Sequence, residues 1–465
     1  MLIKSRMGVH QIIFGLVLVF AAALTYRIVL HPDPRILLFL GGAMAAIIIA
    51  WRPVIGLAAY LIVYPMVPAE EALNMLKAAM LGLTILLFAI WLIQRLISNR
   101  SIRPKPEYRW LFIFFIFLCF SPLLGLVRDF TLIEWARDIA PLLNLLLIPV
   151  MVDYFENNRN RWLPYLVFVP VSLSMAQDIL VLLERYEFPL GSLSTVLSSR
   201  LLSLPLATLH PSIGLCLGLL MYLQSAPHKR LWLILSIASL VIVFLTPTRT
   251  VWIAAGIILF LIIAFTSRKR LWAVTSIAIL VIATGWLIFS TMGSSTYREF
   301  QAYRLQELRD FQFDLSYQNR VEEIKQAGKL FLSSPVYGVG FGYQYSFWRP
   351  FVQLIGPGYL DTNFTHTDIM FFASKGGVIG LFLFGMMLYG FGKKLYQLRK
   401  EKPNSLQSTW ASFGLVMIIS SLIIGSSTPF YQTRWATFAF AILLAVGLSH
   451  KKSEPDVRAI TKITA

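Results

Sequence analysis

Several cationic and titratable side chains stand where long apolar runs end. Arg249 lies in Thr246-Pro247-Thr248-Arg249-Thr250, a tight hairpin between two such runs. A guanidinium is always charged, and with hydroxyls beside it suits phosphate oxygens; a snorkelling interface anchor would look the same. Arg200 closes Ser198-Ser199-Arg200 just before another run, and His210-Pro211 falls inside that run, where proline frees a backbone carbonyl. Arg320 has Glu322 and Glu323 as neighbours, so it reads either as a phosphate ligand or as part of a solvated helix face. His366 sits in Phe364-Thr365-His366-Thr367-Asp368, where a long polar segment returns to apolar sequence; a single histidine there is structural or moves protons. Asp368 would orient His366 or cap the helix that follows. Gly338 and Gly340, in Val336-Tyr337-Gly338-Val339-Gly340-Phe341-Gly342, allow a tight turn or a close approach of backbone N–H groups to an anion. Arg434, with Tyr431, caps the last hairpin as an interfacial anchor or a substrate contact. Neither an Asp-x-Asp pair nor a His/Glu metal spacing accompanies these arginines, so the expectation is a phosphate site with no metal and no cofactor.

The elements that position these residues are membrane spans. The chain has 465 residues, 57% hydrophobic and 14% charged, against roughly 25% charged in soluble domains. Fourteen apolar runs approach the length of about 20 residues that a spanning helix needs: 9–25, 36–51, 53–67, 78–96, 110–126, 139–152, 162–182, 205–223, 231–246, 250–266, 271–291, 368–391, 409–427 and 435–449. The second, third and sixth are short. The net charge of +18 would suggest nucleic acid in a soluble protein, but its distribution explains it otherwise. Strict alternation of the runs puts 24 basic and 6 acidic residues on the side of the N-terminus, and 17 of each on the other. Lysine and arginine mark the cytoplasmic side. Both ends of the chain are therefore expected in the cytoplasm, all of the excess charge is a topology signal, and no nucleic-acid partner is expected.

The predicted organisation is a bundle over 1–291, a large extracytoplasmic loop over 292–367, further spans over 368–449 and a basic cytoplasmic tail over 450–465. Amphipathic patterns predict helices over 297–311 and 317–332 in the loop, the second stopped by Ser333-Ser334-Pro335. Tyr337, Tyr343, Tyr345, Phe347 and Trp348 are either sugar contacts or an interfacial belt. Cys119 and Cys216 fall within spans and read as apolar fillers.

Taken in order, these motifs resemble the O-antigen ligase and polymerase family of bacterial envelope glycan transferases over about residues 195–385. Arg200 with Leu209-His210-Pro211-Ser212, Thr248-Arg249-Thr250, Asn319-Arg320-Val321 followed by Pro335-Val336-Tyr337-Gly338-Val339-Gly340, and His366 followed by Gly377-Val378-Ile379-Gly380 carry the likeness. Thr367 stands where the family usually has asparagine, and Ser374-Lys375 where an acidic residue is usual. The resemblance implies an all-α polytopic membrane protein of about 12–14 helices with a C-type glycosyltransferase fold. It implies an undecaprenyl-pyrophosphate-linked glycan as donor and a glycan or lipid A-core as acceptor, in contact with membrane lipid at the outer face of the cytoplasmic (inner) membrane. It also implies inversion by direct displacement, with Arg200 and Arg249 stabilising the leaving pyrophosphate, Arg320 assisting and His366 as general base. Ligase and polymerase remain open, the latter with a chain-length regulator as a further partner. Protein O-oligosaccharyltransferase is a third acceptor choice. A lipid-linked glycan flippase or transporter is the competing class, kept open by Asp178 and Lys375 as charges inside spans.

Overall fold

A computed structural model of the chain describes residues 47, 51–63, 75–97, 105–156, 210–223, 229–245, 249–265, 279, 283, 315–349, 357–401, 403 and 405–449. Its helices in chain order are α1 (Pro53–Val63), α2 (Met75–Ile97), α3 (Arg109–Phe120), α4 (Pro122–Arg128), α5 (Leu132–Leu143), α6 (Leu147–Phe155), α7 (His210–Leu223), α8 (Lys229–Leu245), α9 (Arg249–Phe265) and α10 (Leu315–Ser333). A hairpin of β1 (Tyr345–Arg349) and β2 (Gly358–Thr362) follows, then α11 (Asp368–Glu401), α12 (Leu406–Gly425) and α13 (Arg434–Leu448). Two compact units divide the chain, Met1–Leu57 and Ala58–Ala465. Among the described residues five helical segments are long and apolar enough to cross a membrane: Met80–Ile97, Pro106–Arg128, Leu132–Phe155, Asp368–Glu401 and Gln407–Gly425. The protein is an all-α polytopic membrane protein. The predicted spans 9–25, 36–51, 162–182 and 271–291 and the predicted helix 297–311 lie almost wholly outside the described residues.

Where helices are described, their bounds follow the apolar runs closely, with two departures. The sixth run was expected to begin at residue 139, after Arg137 and Asp138. The span instead begins at Leu132, behind a capping box in which Thr131 Oγ1 accepts from the Glu134 N–H and Glu134 accepts from the Thr131 N–H. Charge therefore enters the span rather than ending it, because Asp138 finds a cationic partner inside the protein. The second departure is α11, expected over 368–391. It continues to Glu401 and carries the basic Lys393–Lys400 stretch on its last turns.

The bundle has two distinct ends. Along Leu132–Phe155, Asp138 and Asp153 are separated by about 22 Å at 1.5 Å per residue. At the Asp153 end, Arg95 forks onto Asp153 at 2.9 and 3.0 Å, Trp91 Nε1 donates to the same carboxylate, and Lys105 pairs with Glu156. The core between the ends is apolar and aromatic, with Phe114, Phe372 and Phe384 in mutual ring contact and Tyr431 against Phe372 and Phe384. One polar knot crosses it. Tyr60 donates to Asn144 Oδ1 at 2.9 Å and meets Thr84 at 2.7 Å, and Asn144 Nδ2 reaches the Arg434 carbonyl and Thr437 Oγ1. Buried amides of this kind are tolerated only when satisfied, and they fix the helix register.

The other end is built around a broken helix. Gly377, inside α11, has φ 62° and ψ −163°, which interrupts the helical ladder. The segment Pro335–Gly340 repairs the break strand-fashion. Val339 N–H donates to the Ser374 carbonyl (2.8 Å) and Gly340 N–H to that of Lys375 (3.0 Å); in return Val378 N–H donates to the Pro335 carbonyl (2.8 Å) and Ile379 N–H to that of Val336 (3.2 Å). Approach is so close that a Cβ on Gly377 would stand 2.3 Å from the Val336 carbonyl oxygen. Gly377→Ala combines a left-handed φ with this clash and is expected to destabilise the protein by about 3 kcal/mol. Thermal unfolding of the detergent-solubilised variant checks this, and an unchanged midpoint would contradict it.

Candidate functional site

α10 runs over Leu315–Ser333, where the sequence pattern predicts a helix over 317–332, and it presents Arg320 and Glu323 one turn apart on one face. Glu323 is buried, and both its oxygens are committed to His366. Oε2 lies 2.6 Å from Nδ1, and Oε1 accepts the His366 backbone N–H at 3.2 Å. A carboxylate can only accept, so Nδ1 carries the hydrogen and the Nε2 lone pair is left for another proton. The His366 side chain keeps 27% of its surface exposed while Glu323 keeps 2%, so the ring is reachable and its anchor is not.

The backbone around His366 is fixed from the opposite side. Gln432 accepts the Thr365 N–H at 2.9 Å and donates to the Thr365 carbonyl at 2.7 Å and to Asp368 Oδ1 at 3.0 Å. Asp368 Oδ2 takes the N–H groups of Phe430 and Tyr431, each at 3.0 Å. Asp368 was expected to orient His366 or to cap its helix. It does neither, because both its oxygens bind the loop that leads to α13; Glu323 holds the histidine. Arg434 begins α13, two residues beyond Gln432. Tyr345 donates to the Phe364 carbonyl at 3.1 Å; burial first, and the Glu323 charge second, push its hydroxyl well above the ordinary tyrosine range, so it stays protonated.

The glycine turn is a structural clamp. Gly338 N–H goes to the Ser334 carbonyl, Gly340 N–H to the Lys375 carbonyl, Phe341 N–H to Ser121 Oγ and Gly342 N–H to Asp138 Oδ2. The anion-cradle reading of Gly338 and Gly340 is thus corrected: their donors are spent on protein acceptors. The positive φ of Gly338 (71°) serves the close approach to α11 at Lys375 and Gly376, and that of Gly340 (101°) the close approach to the Phe130 ring.

Beneath this turn lies a buried ion pair. Lys375 Nζ is 2.8 Å from Asp138 Oδ2, with side-chain exposures of 1% and 0%, and it also donates to the Tyr343 carbonyl. Asn363 Nδ2 completes the carboxylate shell at 2.6 Å from Oδ1. Lys375, which kept a transport reading open, therefore has a partner that makes it part of the scaffold. Asp178 lies outside the described residues.

One cation near this cluster was missed from the sequence. Arg137 precedes Asp138 on α5 and follows Glu134, which accepts from Gln344 at 2.9 Å. Its Nε and Nη2 are buried without a hydrogen-bond partner among the described residues. Nothing in its sequence setting separates it from a span-end anchor; only burial without an acceptor does so.

The other predicted residues are placed as follows. Arg249 is the first residue of α9 and His210 the first of α7, with α7 and α9 packed on each other and both on α12. Arg200 lies outside the described residues. Of the aromatic set, Tyr345 and Phe347 are buried and so cannot be sugar contacts; Tyr337 and Trp348 are exposed.

A family model described as O-antigen ligase matches residues 213–385. The match runs from the first turn of α7 to the middle of α11, hence takes in Arg249, Arg320, Glu323, His366 and the Gly377 break, and starts after Arg200 and His210. No curated protein matches the chain.

Proposed function

We propose that this chain, O-antigen ligase-like over residues 213–385, transfers a glycan from an undecaprenyl-pyrophosphate carrier to a sugar hydroxyl at the extracytoplasmic face of the inner membrane. The observation that carries the reading is the Glu323–His366 pair: a buried carboxylate fixes the imidazole with Nε2 open, inside the matched region, at the end of the bundle opposite the Arg95 and Lys105 ion pairs. That arrangement is the base-plus-orienter geometry of general-base catalysis.

In the proposed reaction the acceptor oxygen attacks the anomeric carbon from the face opposite the pyrophosphate. The carbon–oxygen bond to pyrophosphate breaks, and its electron pair leaves with the phosphate oxygen. The acceptor's proton passes to His366 Nε2 and then to solvent. The leaving group gains negative charge, which fixed guanidinium groups stabilise. Arg249, Arg200 and Arg320 are assigned to it, and Arg137 joins them because two of its guanidinium nitrogens, Nε and Nη2, are buried with no hydrogen-bond acceptor among the described residues, which is costly. Arg434 and His210 are assigned to substrate binding. The reaction is proposed to need no metal.

Arg249→Lys tests the clamp, since lysine keeps the charge and loses the bidentate fork. Transfer in membranes is expected to fall roughly 10²-fold, the scale of one preorganised donor, with weaker donor affinity. Full activity with normal affinity would remove Arg249 from the site. A deletion strain separates the acceptors. Loss of polymer with single repeats still attached indicates a polymerase, whereas lipid-linked polymer accumulating without surface attachment indicates a ligase.

A further inference from the structure

The hairpin between the glycine turn and His366 has two unlike faces. Side chains alternate along a strand, and residues directly opposite on antiparallel strands share a face. Tyr345 and Phe347 point inward and are buried. Ser346 and Trp348 point outward, and the register sets Asp361 opposite Ser346 and Tyr359 opposite Trp348. The outer face therefore carries an aromatic pair with rings 5.3 Å apart at 72°, beside a hydroxyl–carboxylate pair in which Ser346 donates to Asp361. Trp348 is 45% and Tyr359 76% exposed.

We propose that this face is a distal glycan subsite, binding sugar units several residues removed from the reacting end; the proposal rests on the transferase reading above. A pyranose has a face of C–H groups that lies well on an aromatic ring, and a rim of hydroxyls that a carboxylate and a hydroxyl can bond. Two exposed rings at an edge-to-face angle, with Asp361 and Ser346 on the same surface, offer both. A lipid-facing anchor would not place a carboxylate beside its aromatic rings, because charge is costly against hydrocarbon. Continuity with the site supports the same occupant. From Tyr359 β2 continues to Thr362 and the chain reaches His366 four residues later, so the platform lies within about 25 Å of the base, seven residues of extended chain at most.

The test uses the full chain in nanodiscs and, as probe, the host's own surface polysaccharide released from its lipid by mild acid and fractionated by length. Trp348→Ala and Tyr359→Ala are each expected to weaken binding of long fractions about tenfold, the effect of losing one aromatic anchor, and Trp348→Phe to weaken it less. Transfer to the shortest acceptor should be unchanged, while long products should diminish. The thermal midpoint of each variant, both residues being exposed, should match the parent. Equal binding of long fractions by the parent and the double alanine variant would overturn the subsite, as would a loss confined to lipid partitioning. If the parent itself transfers no glycan, the transferase reading fails instead, and the two failures are distinguishable.

Discussion

Replacing His366 by alanine is expected to lower the rate of glycan transfer by about 10²–10⁴-fold, the range that a positioned general base contributes. Glu323→Gln is expected to lose at least about tenfold, for a reason specific to this geometry. Glu323 presents two acceptor oxygens, one to His366 Nδ1 and one to the His366 backbone N–H. Glutamine has one oxygen and one NH2 group. If its oxygen faces the backbone, the amide donates to Nδ1, the hydrogen moves to Nε2 and the base is blocked. If the oxygen faces Nδ1, the backbone N–H loses its acceptor. Glu323→Gln should therefore reduce kcat more than it raises KM and should alter the pH profile of kcat/KM, whereas a merely structural carboxylate would leave the shape of that profile alone. Glu323→Asp, shorter but with both acceptors, should recover part of the loss. Steady-state transfer by the purified chain across pH checks each variant.

The largest effect on stability is expected at the Lys375–Asp138 pair. Both side chains are essentially without solvent access, and removing one partner of such a pair typically costs about 3–5 kcal/mol because the remaining charge stays buried. Asp138→Asn also weakens the acceptor for the Gly342 N–H and for Asn363, so the glycine turn and the segment leading to His366 lose their common anchor. Lys375→Met leaves Asp138 with those two neutral donors. The double variant Asp138→Asn, Lys375→Met removes both charges and should be more stable than the sum of the single losses allows. Unfolding midpoints in detergent measure the cycle; single variants that melt like the parent would show that the pair contributes little.

These expectations mark where the sequence was readable and where it was not. Apolar runs announced the helices, because a span must satisfy its backbone internally and advertises itself by length. His366 stood out because it marks a return to the membrane, and the glycines announced a turn. What the turn packs against could not be read, since Gly340 meets Lys375 only through a break in a helix that the local sequence writes as continuous. Glu323 looked like one more charge on a solvated helix face, and its partner lies 43 residues away. The sixth apolar run, 139–152, starts just after Arg137 and Asp138, and the lysine that admits Asp138 into the span lies 237 residues later. Long-range pairing of charges leaves no local period, so the scaffold of the site was hidden while its titratable residue was visible.

Transfer by the purified full-length protein, from a defined undecaprenyl-pyrophosphate-linked glycan to a defined sugar acceptor with EDTA present, is the most direct measurement. The expected result is product formation by the parent, unaffected by EDTA, and its loss in His366→Ala with the fold intact. Product formed at the parental rate by His366→Ala, or none by the well-folded parent with any hydroxyl acceptor, would contradict it.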